Sequence, residues 1–81
     1  MVIGLSTSGA SANVVAAMEL AKKRGAVTVA FTGASGPLRE IVNYPLALPS
    51  SETPRIQEAH ITAGHIICCM VERMLFGENV V

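Results

Sequence analysis

The sequence contains neither tryptophan nor aspartate, and aromatic residues make up only 4% of its 81 residues. Charged residues are also scarce, at 15%, and the six basic and six acidic side chains cancel to a net charge of zero. A surface that binds nucleic acid needs a basic patch and often aromatic side chains on which bases stack. We therefore expect no nucleic acid among the partners of this protein.

Long hydrophobic runs are absent as well. No apolar stretch approaches the roughly 20 residues that a membrane-spanning helix needs. The first residues carry neither the basic region nor the cleavage site of a secretory signal. We accordingly expect no membrane partner and a cytoplasmic location.

Cysteine occurs only as the adjacent pair Cys68 and Cys69. Neighbouring residues on a helix diverge by about 100°, so these two thiols cannot easily form a disulfide. The usual spacings of cysteine metal ligands are missing too. We expect both to be small buried apolar residues in a reducing compartment.

Apolar residues, in contrast, are abundant, at 51% of a chain long enough for one domain at most. A small protein has much surface for its volume and should be more polar than average, whereas this chain falls below the usual charged share of about 25%. Some of its apolar surface must therefore contact another chain or a further part of the same protein.

Short apolar runs alternate with helical periodicity along the chain. The runs predict strands over residues 1–6, 26–31 and 44–48, and the periodic segments predict helices over 11–24, from Pro37 to Val42 and from about Thr53 to Phe76. Gly25 is expected to follow the end of the first helix, and Pro45 to lie either in an edge strand or at the start of a strand. Thr53 is expected to cap the last helix, with Pro54 at its first position. This alternation predicts an α/β fold with a parallel sheet, whose ligands bind beyond the carboxyl ends of the strands.

The last helix should be longer than the strands on which it packs, so that it overhangs the sheet. At 1.5 Å per residue it spans roughly 33 Å, against about 17 Å for a five-residue strand. One apolar seam consists of Ile56, Ala59, Ala63, Ile67, Met70 and Met74, and a second of Ile61, Gly64, Cys68 and Leu75. One seam can pack on the sheet, so the other needs either a second copy of the chain or a further part of the fold.

Residues 6–9, Ser-Thr-Ser-Gly, lie where the first strand passes into the first helix. Backbone N–H groups and the positive end of the helix dipole meet at such a turn and favour an anion, to which hydroxyl groups add uncharged donors. This predicts a phosphate-binding turn for a phosphorylated small molecule. The alternative is that Ser11 merely caps its own helix. The glycine patterns of nucleotide-binding loops are absent.

The last helix also carries polar side chains that are candidates for a site. Gln57 and His65 lie roughly 80° apart and two turns apart, so they can converge on a metal ion or a substrate hydroxyl if other segments complete the site. His60 lies about 140° from His65, so the two histidines can hardly serve one site. A lone histidine on an apolar helix is more often structural than functional.

Two segments, residues 2–14 and residues 53–67 with their Arg-Ile-Gln-Glu-Ala-His run, resemble phosphoheptose isomerases of the sugar isomerase (SIS) superfamily. The resemblance implies a partial SIS-type, flavodoxin- or Rossmann-like three-layer sandwich with about three parallel strands, flanking helices and a long C-terminal helix. Residues 1–81 would form the C-terminal portion of a single SIS domain.

The resemblance also implies a set of site residues. Ser6, Thr7, Ser8 and Ser11 match residues that hold the sugar phosphate, Gln57 a residue that contacts substrate and binds zinc, and His65 a second zinc ligand and candidate catalytic acid or base. The implied reaction is the aldose–ketose isomerisation of sedoheptulose 7-phosphate to D-glycero-D-manno-heptose 7-phosphate, which supplies lipopolysaccharide biosynthesis. The implied assembly is a cytoplasmic homo-oligomer, a tetramer in the family.

The chain also departs from the family pattern. The remaining zinc ligands, a histidine and a glutamate, belong to an upstream helix outside these 81 residues. Ala10 replaces a usual asparagine, and residues 34–37 lack the usual Asp-Gly-Gly. We therefore expect this chain alone to lack useful isomerase activity. The alternative is a non-catalytic sugar-phosphate-binding module that acts as a regulatory or scaffolding oligomer.

Overall fold

A computed structural model describes residues 1–77 of the chain. Strands and helices alternate along it, in the order β1 (Val2–Ser6), α1 (Ala12–Lys23), β2 (Thr28–Thr32), α2 (Leu38–Ile41), β3 (Tyr44–Ala47) and α3 (Thr53–Phe76). The predicted α/β class and the predicted order of elements are confirmed.

The three strands form one parallel sheet in the order β1-β2-β3. The register pairs Gly4 with Ala30 and Ala30 with Pro45. Because β3 lies at one edge, it tolerates Pro45, which has no N–H to donate to a further strand. Of the two positions expected for Pro45, the edge strand is confirmed for the described residues.

Helices cover both faces of β2. On one face Met18 of α1 and Leu38 of α2 pack with Ala30, and all three are buried. Side chains alternate along a strand, so Phe31 points to the opposite face, where its ring contacts His60 of α3. The chain therefore forms the three layers that the sequence analysis expected.

Several element boundaries differ from the prediction by one residue, and the start of β2 differs by two. β2 begins at Thr28 instead of residue 26, because the Ala26 N–H still closes the end of α1 by donating to the Ala21 carbonyl at 3.0 Å. At the start of the strand, the Thr28 N–H donates to Asn43 Oδ1 at 3.0 Å and the Asn43 N–H to Thr28 Oγ1 at 3.0 Å. Glu52, not Thr53, is the N-cap of α3, since the Ile56 N–H closes the first turn on the Glu52 carbonyl at 3.0 Å. Gly25 does follow the end of α1, with a φ of 80°.

The long helix α3 overhangs the sheet as predicted. Its 24 residues include only two that are buried, Ile56 and His60, and both lie in its first third. Farther along, Met74 is 83% exposed. The expected burial of Cys68 and Cys69 is wrong: both are free and exposed, because the half of the helix that carries them has no sheet beneath it. Of the helices described, none is sufficiently long and apolar to traverse a membrane.

Candidate functional site

Residues 6–11, which we call the serine loop, connect the carboxyl end of β1 to α1. Ser6 is buried, and its Oγ accepts a hydrogen bond from the Gly9 N–H at 3.1 Å. Ser8 Oγ accepts one from the Ala10 N–H at 3.2 Å. Gly9 adopts a φ of 67°, a left-handed conformation that suits glycine. The loop is therefore a tight turn whose own hydroxyls hold its backbone.

Three serine hydroxyl groups of the serine loop converge around Ser6. Its Oγ lies 2.8 Å from Ser11 Oγ and 3.4 Å from Ser8 Oγ. Ser11 is the N-cap residue of α1, yet no side chain in residues 1–77 caps that helix N-terminus. The alternative that the Ser11 side chain caps its own helix is therefore wrong. The start of the 12-residue helix α1 faces this hydroxyl group cluster.

A second loop, residues 33–37, supports the serine loop from the side. The Gly33 N–H donates to the Thr7 carbonyl at 3.1 Å, and the Leu38 N–H donates to the Gly9 carbonyl at 2.9 Å. Gly36, with a φ of 99°, packs so closely on Gly9 and Ser8 that a Cβ atom at Gly36 would overlap their backbone atoms. The two loops are thus fitted to each other through glycine backbone.

Helix α3 closes the other side of the site. The Ile56 side chain packs on Gly33, where a Cβ atom would lie 2.7 Å from Ile56 Cδ1. His60 is 3% exposed, and its Nε2 donates to the Thr32 carbonyl at 3.0 Å. Its ring also packs on Phe31, with ring centroids 5.6 Å apart and planes inclined by 48°. These contacts bring the first turns of α3 to the carboxyl end of β2.

A cavity of about 500 Å³ lies between the serine loop and α3. This volume is within the range of about 300–1,000 Å³ that is common for small-molecule sites. The lining residues are Leu5, Ser6, Thr7, Ser11, Gln57, His60 and Ile61. None of these carries a permanent charge, so an anion bound here would be held by N–H groups, hydroxyl groups and the helix dipole.

The structure brings together four of the six candidate site residues. Ser6, Thr7, Ser11 and Gln57 all line the cavity. Ser8 contributes to the hydrogen bonds of the serine loop without lining the cavity, and His65 is exposed and outside the lining.

Sequence reasoning missed the cavity positions of Leu5, His60 and Ile61. A signal for His60 existed, because it follows the apolar Ile56 by four residues and so shares its face of the helix. His60 is buried and His65 is exposed. That the two can hardly serve one site stays a prediction.

The donors present do not make a complete zinc site. Among residues 1–77, no group of three or more histidine, cysteine, aspartate or glutamate side chains is placed to hold a metal ion. Gln57 and His65 together offer two donors, whereas catalytic zinc normally has three protein ligands.

These features define an α/β protein with a ligand cavity at the carboxyl edge of a parallel sheet, beside a serine-rich turn and a helix N-terminus. No family model matches the chain. Curated relatives do match it. It is 57% identical over 77 residues, or 94% of its length, to a phosphoheptose isomerase of Thermodesulfovibrio yellowstonii. It is 57% identical over 79 residues to one of Roseiflexus sp. and 48% identical over 82 residues to one of Aneurinibacillus thermoaerophilus.

Over nearly its whole length this chain is similar to the matched parts of these phosphoheptose isomerases. It spans 38%, 40% and 41% of the length of these three relatives, respectively, so about two fifths of each has a counterpart here.

Proposed function

We propose that this chain is the sugar-phosphate-binding portion of a phosphoheptose isomerase. The reaction proposed for the whole enzyme is the conversion of sedoheptulose 7-phosphate to D-glycero-D-manno-heptose 7-phosphate, for lipopolysaccharide biosynthesis. The observation that carries the proposal is the shared cavity between the serine loop and Gln57.

The serine loop is the proposed phosphate site. The Ser8 and Ser11 hydroxyl groups lie within 3.4 Å of Ser6 Oγ, and the N-terminus of α1 lies beside them without a capping side chain in the described chain. A phosphate dianion takes up both kinds of donor, since hydroxyl and backbone N–H groups form short charge-assisted bonds with its oxygen atoms. Ser6, Thr7, Ser8 and Ser11 are assigned to this role.

Gln57 is the proposed contact with the sugar. It lines the cavity from the α3 side, opposite the serine loop. Its amide has one acceptor and two donor positions, which suits the hydroxyl and carbonyl groups of a ketose. A ligand whose phosphate lies on the serine loop therefore extends its carbon chain toward Gln57.

The metal and acid–base roles are proposed for Gln57 and His65 in the complete enzyme. They would supply two zinc ligands, and the remaining ligands would come from segments outside these 81 residues. Zinc supplies Lewis-acid polarisation of the substrate oxygen atoms when it is bound. His65 is the proposed acid or base, and its exposure in this chain means that a further segment must enclose it.

The proposal therefore includes that this chain is an incomplete domain. Residues 1–81 would be the C-terminal portion of a single domain, unable to isomerise sugar phosphates alone. The exposed apolar side chains of α3, among them Ile66, Met70 and Met74, support burial in a homo-oligomer or by the rest of the domain. The free thiols Cys68 and Cys69 suit a cytoplasmic setting.

A non-catalytic binding module is the second candidate. The exposed position of His65, away from the cavity lining, favours it, because the serine loop and Gln57 could bind a sugar phosphate without chemistry. A regulatory or scaffolding oligomer would need the binding site alone.

Isomerisation assays separate the two candidates. The chain is compared with a chimaera in which the preceding part of the Thermodesulfovibrio yellowstonii relative is joined to it, each with sedoheptulose 7-phosphate and zinc. We expect turnover only in the chimaera, lost on His65→Ala and kept in the control Thr62→Ala, an exposed residue of the same helix. Turnover that survives His65→Ala would refute the role of His65, and a chimaera that binds but never turns over would favour the non-catalytic module.

A further inference from the structure

The attachment of α3 to the sheet depends on very few side chains. Of its 24 residues, only Ile56 and His60 are buried, and they lie one turn apart. Ile56 supplies an apolar contact on Gly33, whereas His60 supplies a directed hydrogen bond. The rotation and height of the first turns of α3 over the sheet are therefore set mainly by these two residues.

His60 bonds a backbone atom at the edge of the cavity. Thr32 is the last residue of β2, and its carbonyl accepts from His60 Nε2 at 3.0 Å and from the Leu48 N–H at 3.2 Å. A carbonyl oxygen only accepts, so His60 carries its proton on Nε2. Because Leu48 would still bond this carbonyl if His60 were replaced, the imidazole is not needed to satisfy a buried backbone group.

Gln57 precedes His60 by three residues, so the two are neighbours on the helix surface. Both line the same cavity. We propose that His60 is a positioning residue: by tying α3 to the Thr32 carbonyl, it fixes Gln57 at the sugar end of the cavity. This inference rests on the proposed function, in which Gln57 contacts the sugar.

The phosphate end of the cavity does not depend on the hydrogen bond between His60 and the Thr32 carbonyl. The serine loop is held by its own hydroxyl groups, by the N–H group of Gly33 in the second loop and by that of Leu38 at the start of α2, which donate to the Thr7 and Gly9 carbonyls. None of these bonds involves α3. A small displacement of α3 should therefore leave phosphate binding intact and weaken only the contacts with the sugar.

The test compares two ligands in the full 81-residue chain by calorimetry: inorganic phosphate and sedoheptulose 7-phosphate. His60→Phe keeps a ring against Phe31 and removes the donor, whereas His60→Gln keeps a donor. We expect the Kd of inorganic phosphate to be unchanged in both variants. The Kd of sedoheptulose 7-phosphate should rise between about twofold and tenfold in His60→Phe, the loss of one neutral hydrogen bond, and recover in His60→Gln.

Thr62→Ala, an exposed change on the same helix, is the control and should alter neither Kd. If His60→Phe does not fold, His60→Leu replaces it with a smaller apolar side chain. An equal loss of affinity for both ligands would show that His60 is merely structural, and unchanged affinity for both would show that it positions nothing; either result overturns the inference.

The wild-type chain separates failure of the inference from failure of the proposed function. If it binds inorganic phosphate but binds sedoheptulose 7-phosphate no more tightly, the phosphate site survives and the positioning role falls. If it binds neither ligand, the proposed function itself fails, and the role of His60 fails with it.

Discussion

The close fit between the second loop and the serine loop gives a prediction for Gly36→Ala. A Cβ atom at Gly36 would overlap the backbone of Gly9 and the Ser8 carbonyl oxygen, and the φ of 99° disfavours any side chain. Backbone atoms cannot swing aside as the end of a flexible side chain can. The substitution should therefore push the two loops apart.

The size of the effect follows from three contributions. A left-handed conformation costs a non-glycine residue about 1–2 kcal/mol. Overpacking against neighbouring atoms adds about 1–3 kcal/mol. Alanine also restricts the unfolded chain, which offsets about 0.4–1 kcal/mol. We expect Gly36→Ala to lower the free energy of unfolding by about 1–5 kcal/mol.

The assay is urea unfolding followed by circular dichroism, with Gly25→Ala as the matched control. Gly25 has a φ of 80° but open space around its would-be Cβ atom, so it bears the conformational cost without the overlap. Gly36→Ala should therefore cost about 1–3 kcal/mol more than Gly25→Ala. If the two variants are equally stable, the loops are not fitted to each other as described.

Three further predictions concern the site and the scaffold that holds it. Ser11→Ala should raise the Kd of inorganic phosphate about tenfold or more, because a hydrogen bond to a charged group is lost. In the same calorimetry, Ser51→Ala, a change at an exposed residue, should leave this Kd unchanged. An unaltered Kd for Ser11→Ala would remove Ser11 from the phosphate site. Met18→Ala should lower the free energy of unfolding by about 2–5 kcal/mol, since Met18 lies in the core and is 1% exposed. If urea unfolding shows a smaller decrease in the free energy of unfolding, the core collapses around the cavity left by Met18. Gly64→Ala should raise the free energy of unfolding by about 0.5–1 kcal/mol, because Gly64 lies within α3 and a Cβ atom there would meet open space. A destabilised variant would mean that α3 is more tightly packed at this position.

Local pattern was sufficient to predict the elements of this fold. Apolar runs separated by helical periodicity specify alternating strands and helices, and short connections between them require a parallel sheet. The position of Pro45 at the sheet edge follows from its missing N–H. The start of β2 was harder to predict, because Ala26 and Val27 continue the apolar run although the Ala26 N–H bonds the Ala21 carbonyl at the end of α1.

The site was predicted in part, and the errors have a common cause. The serine loop was found because its residue types and its place after a strand carry the chemistry within a few residues. The burial of His60 and the exposure of the two thiols depend on whether the sheet lies beneath that part of α3. A helical pattern in the sequence does not reveal where the sheet ends. His60 lies above β2 and is buried, whereas Cys68 and Cys69 lie beyond the sheet and are exposed.

The central claim is that one ligand bridges the serine loop and Gln57, and an NMR titration of the isotope-labelled chain with sedoheptulose 7-phosphate tests it most directly. We expect the backbone amide signals of residues 8–11 and the side-chain amide signal of Gln57 to shift together, with a single midpoint. Inorganic phosphate should move only the loop signals. A titration in which sedoheptulose 7-phosphate leaves the Gln57 side-chain signal in place, or moves signals away from the cavity, would contradict the claim.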